Sequence, residues 1–255
     1  MTHERPATTG RSTLHEPLDA ALERGVAVLN ELDGIRYLTY PALDELSGIR
    51  ALTTLRERGP TQEAHIYPDE WLARFVPWLQ RALGVPGAAV VAGRQVHGQA
   101  HVVVDAGNLP RPNGMRRFDH TDALMTSLPA VGLVVLTADC VPIFLADPVV
   151  RTVALVHAGK GGTQCRITGK VAAAFVKTTG ATPANTTALI GPSIGDGCYP
   201  VRLWDENVRQ LRAVGVERIV APALCTRCNL DRFYSYRVEK GCTGRMVSAI
   251  ILAEA

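Results

Sequence analysis

The stretch Thr137–Thr163, TADCVPIFLADPVVRTVALVHAGKGGT, decides how the rest of the chain is read. Two short apolar runs, Val141–Ala146 and Thr152–Val156, flank an Asp147-Pro148 turn, and that pattern predicts two strands. Cys140 stands before the first and His157 directly after the second. Antiparallel pairing across so short a turn brings a thiol and an imidazole side by side, with the thiol a candidate nucleophile. The glycine-rich run Gly159–Gly162 then leads into a helix expected over Thr163–Thr178, with Ile167, Val171, Ala174 and Phe175 on one face. Backbone N–H groups at the start of that helix would face an anion.

Working outward, apolar spacing at Leu18, Leu22, Val26 and Leu29 predicts an amphipathic helix over Leu18–Leu32. Strands are expected at Ile35–Tyr40 and Ile49–Leu55, the latter ending at the Arg58-Gly59-Pro60 break. Pro68–Leu83 reads as a helix capped by Asp69, with a kink or split near Val76 because Pro77 lies inside it. Ala88–Ala92, His101–Val104, Ala130–Leu136, Thr187–Ile190 and Glu217–Val220 read as strands. Leu109–Asp119 reads as a loop, Trp204–Val214 as a helix, Arg232–Tyr236 as irregular or extended, and Gly244–Leu252 as a final helix or strand. No internal repeat divides the chain. The fold class expected is mixed α/β (α+β), a single layered domain of mixed β-sheets flanked by helices, over residues 18–255. Residues 1–17 are expected to form a disordered leader.

Composition narrows the function. A net charge of +3 with scattered basic residues gives no support to nucleic-acid binding. No apolar run reaches the length of a membrane span, and the N-terminus lacks the apolar core of a secretory signal. Six cysteines in 255 residues are too sparse for a disulfide scaffold, so reduced thiols in a cytoplasmic protein are expected.

His97, in the Gly93–Gly98 turn GRQVHG, sits past a buried strand much as His157 does. With Cys140 these residues offer two nitrogens and a sulfur, a set that suits Zn²⁺ and leaves a position open for water. Such a water loses its proton near neutral pH. The three lie 43 and 17 positions apart and match no local metal motif. The same residues also read as a small buried cysteine and two turn histidines. Cys225-Thr226-Arg227-Cys228 is a CxxC, but no second pair follows at zinc-ribbon spacing, so no structural zinc is expected there.

QVHG (Gln95–Gly98), TDALMTSLPAVGLVVLTADCVPIFLADP (Thr121–Pro148), VHAG (Val156–Gly159), IGPSIG (Ile190–Gly195), CYPV (Cys198–Val201) and FYSYR…TGRM (Phe233–Met246) occur in the order seen in one family. The chain resembles the laccase-domain, or multicopper polyphenol oxidase, proteins over roughly Ala51–Leu252. That family is now regarded as purine nucleoside phosphorylases with adenosine deaminase activity, and some bacterial members are named peptidoglycan editing factors. The resemblance implies His97, Cys140 and His157 as zinc ligands and catalytic residues. Asp139 joins them as a candidate to orient a ligand or protonate a leaving base. Arg94, Gln95, Lys160 and Arg237 are the candidates for contact with nucleoside and phosphate.

One departure stands out. The family's HAGWRG is here His157-Ala158-Gly159-Lys160-Gly161-Gly162, so the aromatic residue is Lys160 and the arginine is Gly161. An arginine supplies a planar, bidentate phosphate partner, and Lys160 only a point charge. A Gly161→Arg variant that gained activity would locate the lesion in this loop. Leu52-Thr53-Thr54-Leu55-Arg56 matches the family's TTR-G-G stretch only loosely. The alternatives are a copper-dependent phenol oxidase, disfavoured because the chain has seven histidines and only two well placed, and a divergent paralogue that binds nucleotide or cell-wall precursor without turnover.

Overall fold

A computed structural model describes residues 16–56 and 69–254. In chain order the elements are α1 (Leu18–Glu23), β1 (Val28–Leu32), β2 (Ile35–Thr39), α2 (Pro41–Asp44), β3 (Ile49–Thr54), α3 (Asp69–Ala82), β4 (Ala89–Gly93) and β5 (His101–Val104). They continue with β6 (Met115–Phe118), β7 (Ala123–Thr126), β8 (Val131–Thr137), β9 (Val141–Asp147), β10 (Thr152–Ala158), α4 (Lys160–Gln164) and α5 (Ile167–Thr179). The last are β11 (Thr187–Ile190), α6 (Leu203–Ala213), β12 (Arg218–Val220) and β13 (Met246–Leu252).

The expected hairpin forms: β9 and β10 pair antiparallel from Thr152↔Asp147 to Ala158↔Val141, and every residue of both strands is buried. Its turn is held by the Asp147 carboxylate, which accepts the N–H groups of Val149 (2.9 Å) and, across the fold, Thr182 (3.0 Å). Continuous burial explains why both runs read as uniformly apolar rather than alternating.

Two mixed sheets build one domain. A seven-stranded sheet has the order β1-β2-β3-β13-β8-β4-β6, and a six-stranded sheet the order β12-β11-β9-β10-β7-β5. One hydrophobic core, with Leu52's neighbours Ala51 and Leu133 on one side and Phe144 and Leu155 on the other, fills the space between the sheets. A second seats α5 and α6 on the six-stranded sheet, and a third seats α3 on the seven-stranded one. The result is a helix–sheet–sheet–helix stack, each sheet burying both faces.

Four local expectations are corrected. Leu18–Leu32 is not one helix: α1 ends at Glu23, and β1 and β2 form a hairpin with Leu32↔Ile35 as its last pair. The two turn residues, Asp33 (φ 52°) and Gly34 (φ 77°), are both left-handed, the Asp-Gly type I′ signature that outranks helical spacing. Leu109–Asp119 is not all loop, because β6 pairs parallel with β4. Its sequence MRRF hides the strand, since an edge strand carries charge readily. The helix expected over Thr163–Thr178 is two helices broken at Arg166 (φ 61°). Buried polar groups of α6 stitch the break: Asn207 Nδ2 donates to Thr163 Oγ1 (3.1 Å) and Gln210 Nε2 to the Thr163 carbonyl (2.9 Å). Finally, of the kink or split expected near Val76 the split does not occur, because Pro77 lies inside a single helix. The Gly244–Leu252 alternative resolves as a strand.

Most of the expected leader and the Arg58-Gly59-Pro60 break lie outside the described residues. Glu16, within the span assigned to the leader, forms a β-bridge with Leu224.

Candidate metal centre

The hairpin brings Cys140 and His157 to one end of the six-stranded sheet. His97 arrives from the turn after β4, in the left-handed conformation (φ 59°). One ligand atom from each of the three residues lies within 4.8 Å of the other two. The imidazoles meet edge to face, with ring centroids 4.9 Å apart. Gly159 makes this approach possible: a Cβ there would lie 2.7 Å from His97 Cδ2 and 2.9 Å from Cys140 Sγ. The chain keeps the space between two of its three donors clear of its own side chains.

A residue absent from the sequence reading organises the centre. Asp122 is 1% exposed. Its carboxylate accepts the backbone N–H groups of Val96 (3.2 Å), His97 (2.9 Å) and Gly98 (2.8 Å), which fixes the turn that carries His97. The same carboxylate lies 2.8 Å from His157 Nδ1, and the His157 N–H donates to the Asp122 carbonyl (2.7 Å). With Nδ1 committed to carboxylate, Nε2 of His157 is left for a metal, the usual carboxylate–histidine–metal relay. Burial pushes the Asp122 carboxyl up, but the His157 and backbone hydrogen bonds outweigh it and hold it below the ordinary range.

Electrostatics tie the hairpin pair together. Burial pushes the Cys140 thiol up, yet the charge and hydrogen bond of His157, aided by His97, bring it down to about 6. Burial likewise pushes His157 down, yet Cys140 and Asp122 raise it to about 9. In the metal-free protein the two therefore form a thiolate–imidazolium pair between about pH 6 and about pH 9. An acid with a lowered pKa is ionised above that value, so iodoacetamide should alkylate Cys140 at a rate that rises through about pH 6. Measured in a variant that keeps Cys140 as its sole cysteine, a rate that climbs only near the ordinary thiol value would contradict the pairing. A bound metal would displace the Nε2 proton of His157 and meet a soft thiolate with two imidazoles, a donor set that fits Zn²⁺.

The three donors open onto a cavity of about 1120 Å³. Among the described residues its wall carries six cations, Arg94, Arg117, Lys160, Arg237, Lys240 and Arg245, against three carboxylates, Asp69, Glu70 and Asp139. Tyr199 and Tyr236 supply aromatic faces. The sequence-derived candidates all reach this wall, but with different freedom. Lys160 opens α4 and is exposed. Arg237 is exposed and lies over the Tyr199 ring, 5.0 Å from its centroid. Arg94 pairs with Asp69 (2.5 Å) and with Asp119, so much of its charge is already matched. Gln95 spends both ends of its amide on the Leu136 backbone, donating at 2.7 Å and accepting at 2.8 Å. Asp139 accepts Thr226 Oγ1 (2.6 Å) and the Arg237 N–H (2.8 Å), so its two oxygens pin loops together. The N–H of Thr163, expected to face an anion, bonds the Gly159 carbonyl (2.8 Å) inside α4.

Gly161 has a steric role as well. A Cβ there would stand 2.7 Å from the His97 carbonyl oxygen, a backbone atom. A Gly161→Arg change thus presses on the turn that carries His97 before its guanidinium reaches any phosphate. It is expected to cost about 1–3 kcal/mol in urea unfolding, as overpacking does. A gain in activity without loss of stability would contradict this.

Known proteins match this chain along most of its length. The family model described as multi-copper polyphenol oxidoreductase laccase matches residues 73–203 and 200–253. The chain belongs to that family. It is 35% identical over 201 residues to a protein of Streptomyces coelicolor named purine nucleoside phosphorylase, covering 68% of this chain and 78% of the relative. A Mycobacterium tuberculosis protein of the same name is 33% identical over 198 residues, covering 68% and 76%. Among solved structures, YlmD of Geobacillus stearothermophilus superposes with a TM-score of 0.74 at 25% identity, covering 89% of this chain and all of that one. Bacillus licheniformis YfiH has the same fold, with a TM-score of 0.73 over 87% of this chain and all of that one, at 24% identity.

Proposed function

We propose that this chain is a zinc-dependent purine nucleoside phosphorylase of the cytoplasm, with residues 18–255 as its catalytic domain. Phosphate attacks C1′ of adenosine or inosine, the C1′–N9 bond breaks, and the base leaves as ribose 1-phosphate forms. Deamination of adenosine is the companion activity. The observation that carries this reading is an N₂S donor set, His97, Cys140 and His157, opening onto a predominantly cationic cavity with two tyrosine faces. The names of the relatives support the same substrate class.

The residues divide the work. His97, Cys140 and His157 would hold the metal, which when bound supplies a Lewis acid. Asp122 fixes the His157 tautomer. Lys160 and Arg237, both exposed on the cavity wall, hold phosphate, and Tyr199 and Tyr236 stack the purine. Asp139 acts through position, tying the Arg237 segment to the Cys140 turn. Among the described residues no helix is long and apolar enough to cross a membrane, which fits a small-molecule enzyme.

The test is to incubate the Zn²⁺-loaded protein with adenosine or inosine, with and without phosphate, and resolve base, inosine and ribose 1-phosphate. Phosphate-dependent release of free base is expected. No product in any mixture would overturn the enzyme reading and favour a nucleotide- or cell-wall-precursor-binding paralogue. The family description favours copper as a second reading; stoichiometric copper in protein purified without added metal would support it over zinc.

A further inference from the structure

A second cluster of donors lies outside the site already described. Cys198, Cys225 and Cys228 each place a sulfur within 4.8 Å of the other two. The CxxC of Cys225 and Cys228 lacked a second pair in the sequence, and the fold supplies a third thiol from the CYPV turn. All six cysteines, each among the described residues, are thiols rather than disulfides. Cys198 Sγ and Cys228 Sγ stand 3.5 Å apart.

The backbone around the cluster is built to hold these sulfurs. Cys225 is fully buried, and its Sγ accepts the Gly195 N–H at 3.2 Å. Ser193 and Cys225 form a β-bridge, with Ser193 N–H donating to the Leu224 carbonyl (3.1 Å) and Thr226 N–H to the Ser193 carbonyl (3.0 Å). Arg227 donates to the Cys198 carbonyl (3.2 Å). An N–H aimed at sulfur supports a thiolate ligand and is a common feature beneath metal-bound cysteines.

We propose that Cys198, Cys225 and Cys228 form a second metal site, which takes a thiophilic ion such as Zn²⁺ through three thiolates. Three soft donors select such ions, and binding releases the thiol protons as each Cys–SH becomes a metal-bound thiolate. A redox pair is the weaker reading for two reasons. Two cysteines suffice for a disulfide, and the third is buried with its own hydrogen-bond donor. The site would brace the catalytic wall, because Thr226, within the CxxC, donates to Asp139 beside Cys140.

The experiment counts zinc. Reduced, chelator-treated protein is loaded with Zn²⁺ alone, desalted and measured by elemental analysis, for wild type, Cys198→Ser/Cys228→Ser, Cys228→Ser and His97→Ala/His157→Ala. The expected result is two ions per chain in wild type and one in each double variant. Cys228 is exposed, so the single variant guards against misfolding of the double one and should also lose one ion. In the cobalt-loaded protein the sulfur-to-metal absorption of this site should be roughly three times that of the one-thiolate site. One ion in wild type, unchanged by the serine substitutions, would overturn the proposal. So would an unreduced mass two hydrogens lighter than the thiol form.

Discussion

An Asp122→Asn protein is expected to bind Zn²⁺ about 10- to 100-fold more weakly than wild type, with phosphorolysis falling in parallel. Asparagine keeps the shape and an acceptor for the turn, but its amide faces His157 Nδ1 with a donor in place of a carboxylate. The imidazole then loses the bond that directs Nε2 toward the metal. Asp122→Ala is the harsher change. It leaves the N–H groups of Val96, His97 and Gly98 without their acceptor in an exposed to half-buried turn that water can reach, and the expected loss is about 1–3 kcal/mol in urea unfolding. Competition with a chelator measures the first effect and denaturant titration the second. Wild-type affinity in the asparagine variant would show that the relay does not position the ligand.

Cys140→Ser should weaken metal binding by more than the roughly 100-fold expected of a positioning residue, because it removes the soft donor itself. Activity and metal should vanish together. The measurement is best made in a Cys198→Ser/Cys228→Ser background, so that the three-thiol cluster does not mask the loss. A variant that keeps its metal but loses activity would return Cys140 to the role of nucleophile. Its lowered thiol pKa, about 6, would serve that chemistry too, which is why metal content is the deciding readout.

The hairpin was legible because its physics is local. Two buried strands joined across Asp147-Pro148 place Cys140 and His157 together whatever the rest of the chain does. His97 was legible as a turn residue after a strand, grouped with the other two by its donor chemistry, and the resemblance fell on the same three. Asp122 was not. A lone aspartate before a strand has no spacing signature, and its role comes from a turn 24 to 26 residues earlier folding back onto it. Gln95 looked like a substrate contact because it neighbours His97, but only the β4–β8 packing shows its amide bound to Leu136. The CxxC has no second pair in sequence, and only the fold brings Cys198 within 4.8 Å of both its sulfurs. Tyr199 and Tyr236 lay inside quoted motifs, CYPV and FYSYR, yet no local pattern marks a tyrosine as a cavity wall.

Gly161 shows how a departure from the family pattern reads differently in three dimensions. In sequence it is a missing phosphate ligand. In the fold it is also the point where α4 passes under the His97 carbonyl, where a side chain has no room unless the metal-bearing turn moves. The cationic wall of the cavity, with Arg237 and Lys160, carries the proposed phosphate contacts instead.

The central claim is that His97, Cys140 and His157 share one metal. Zinc-edge X-ray absorption on Cys198→Ser/Cys228→Ser protein loaded with one equivalent of Zn²⁺ tests it most directly. The account predicts one sulfur at about 2.3 Å and two imidazole nitrogens at about 2.0–2.1 Å. A first shell of oxygen without sulfur, or one without imidazole scattering, would contradict it.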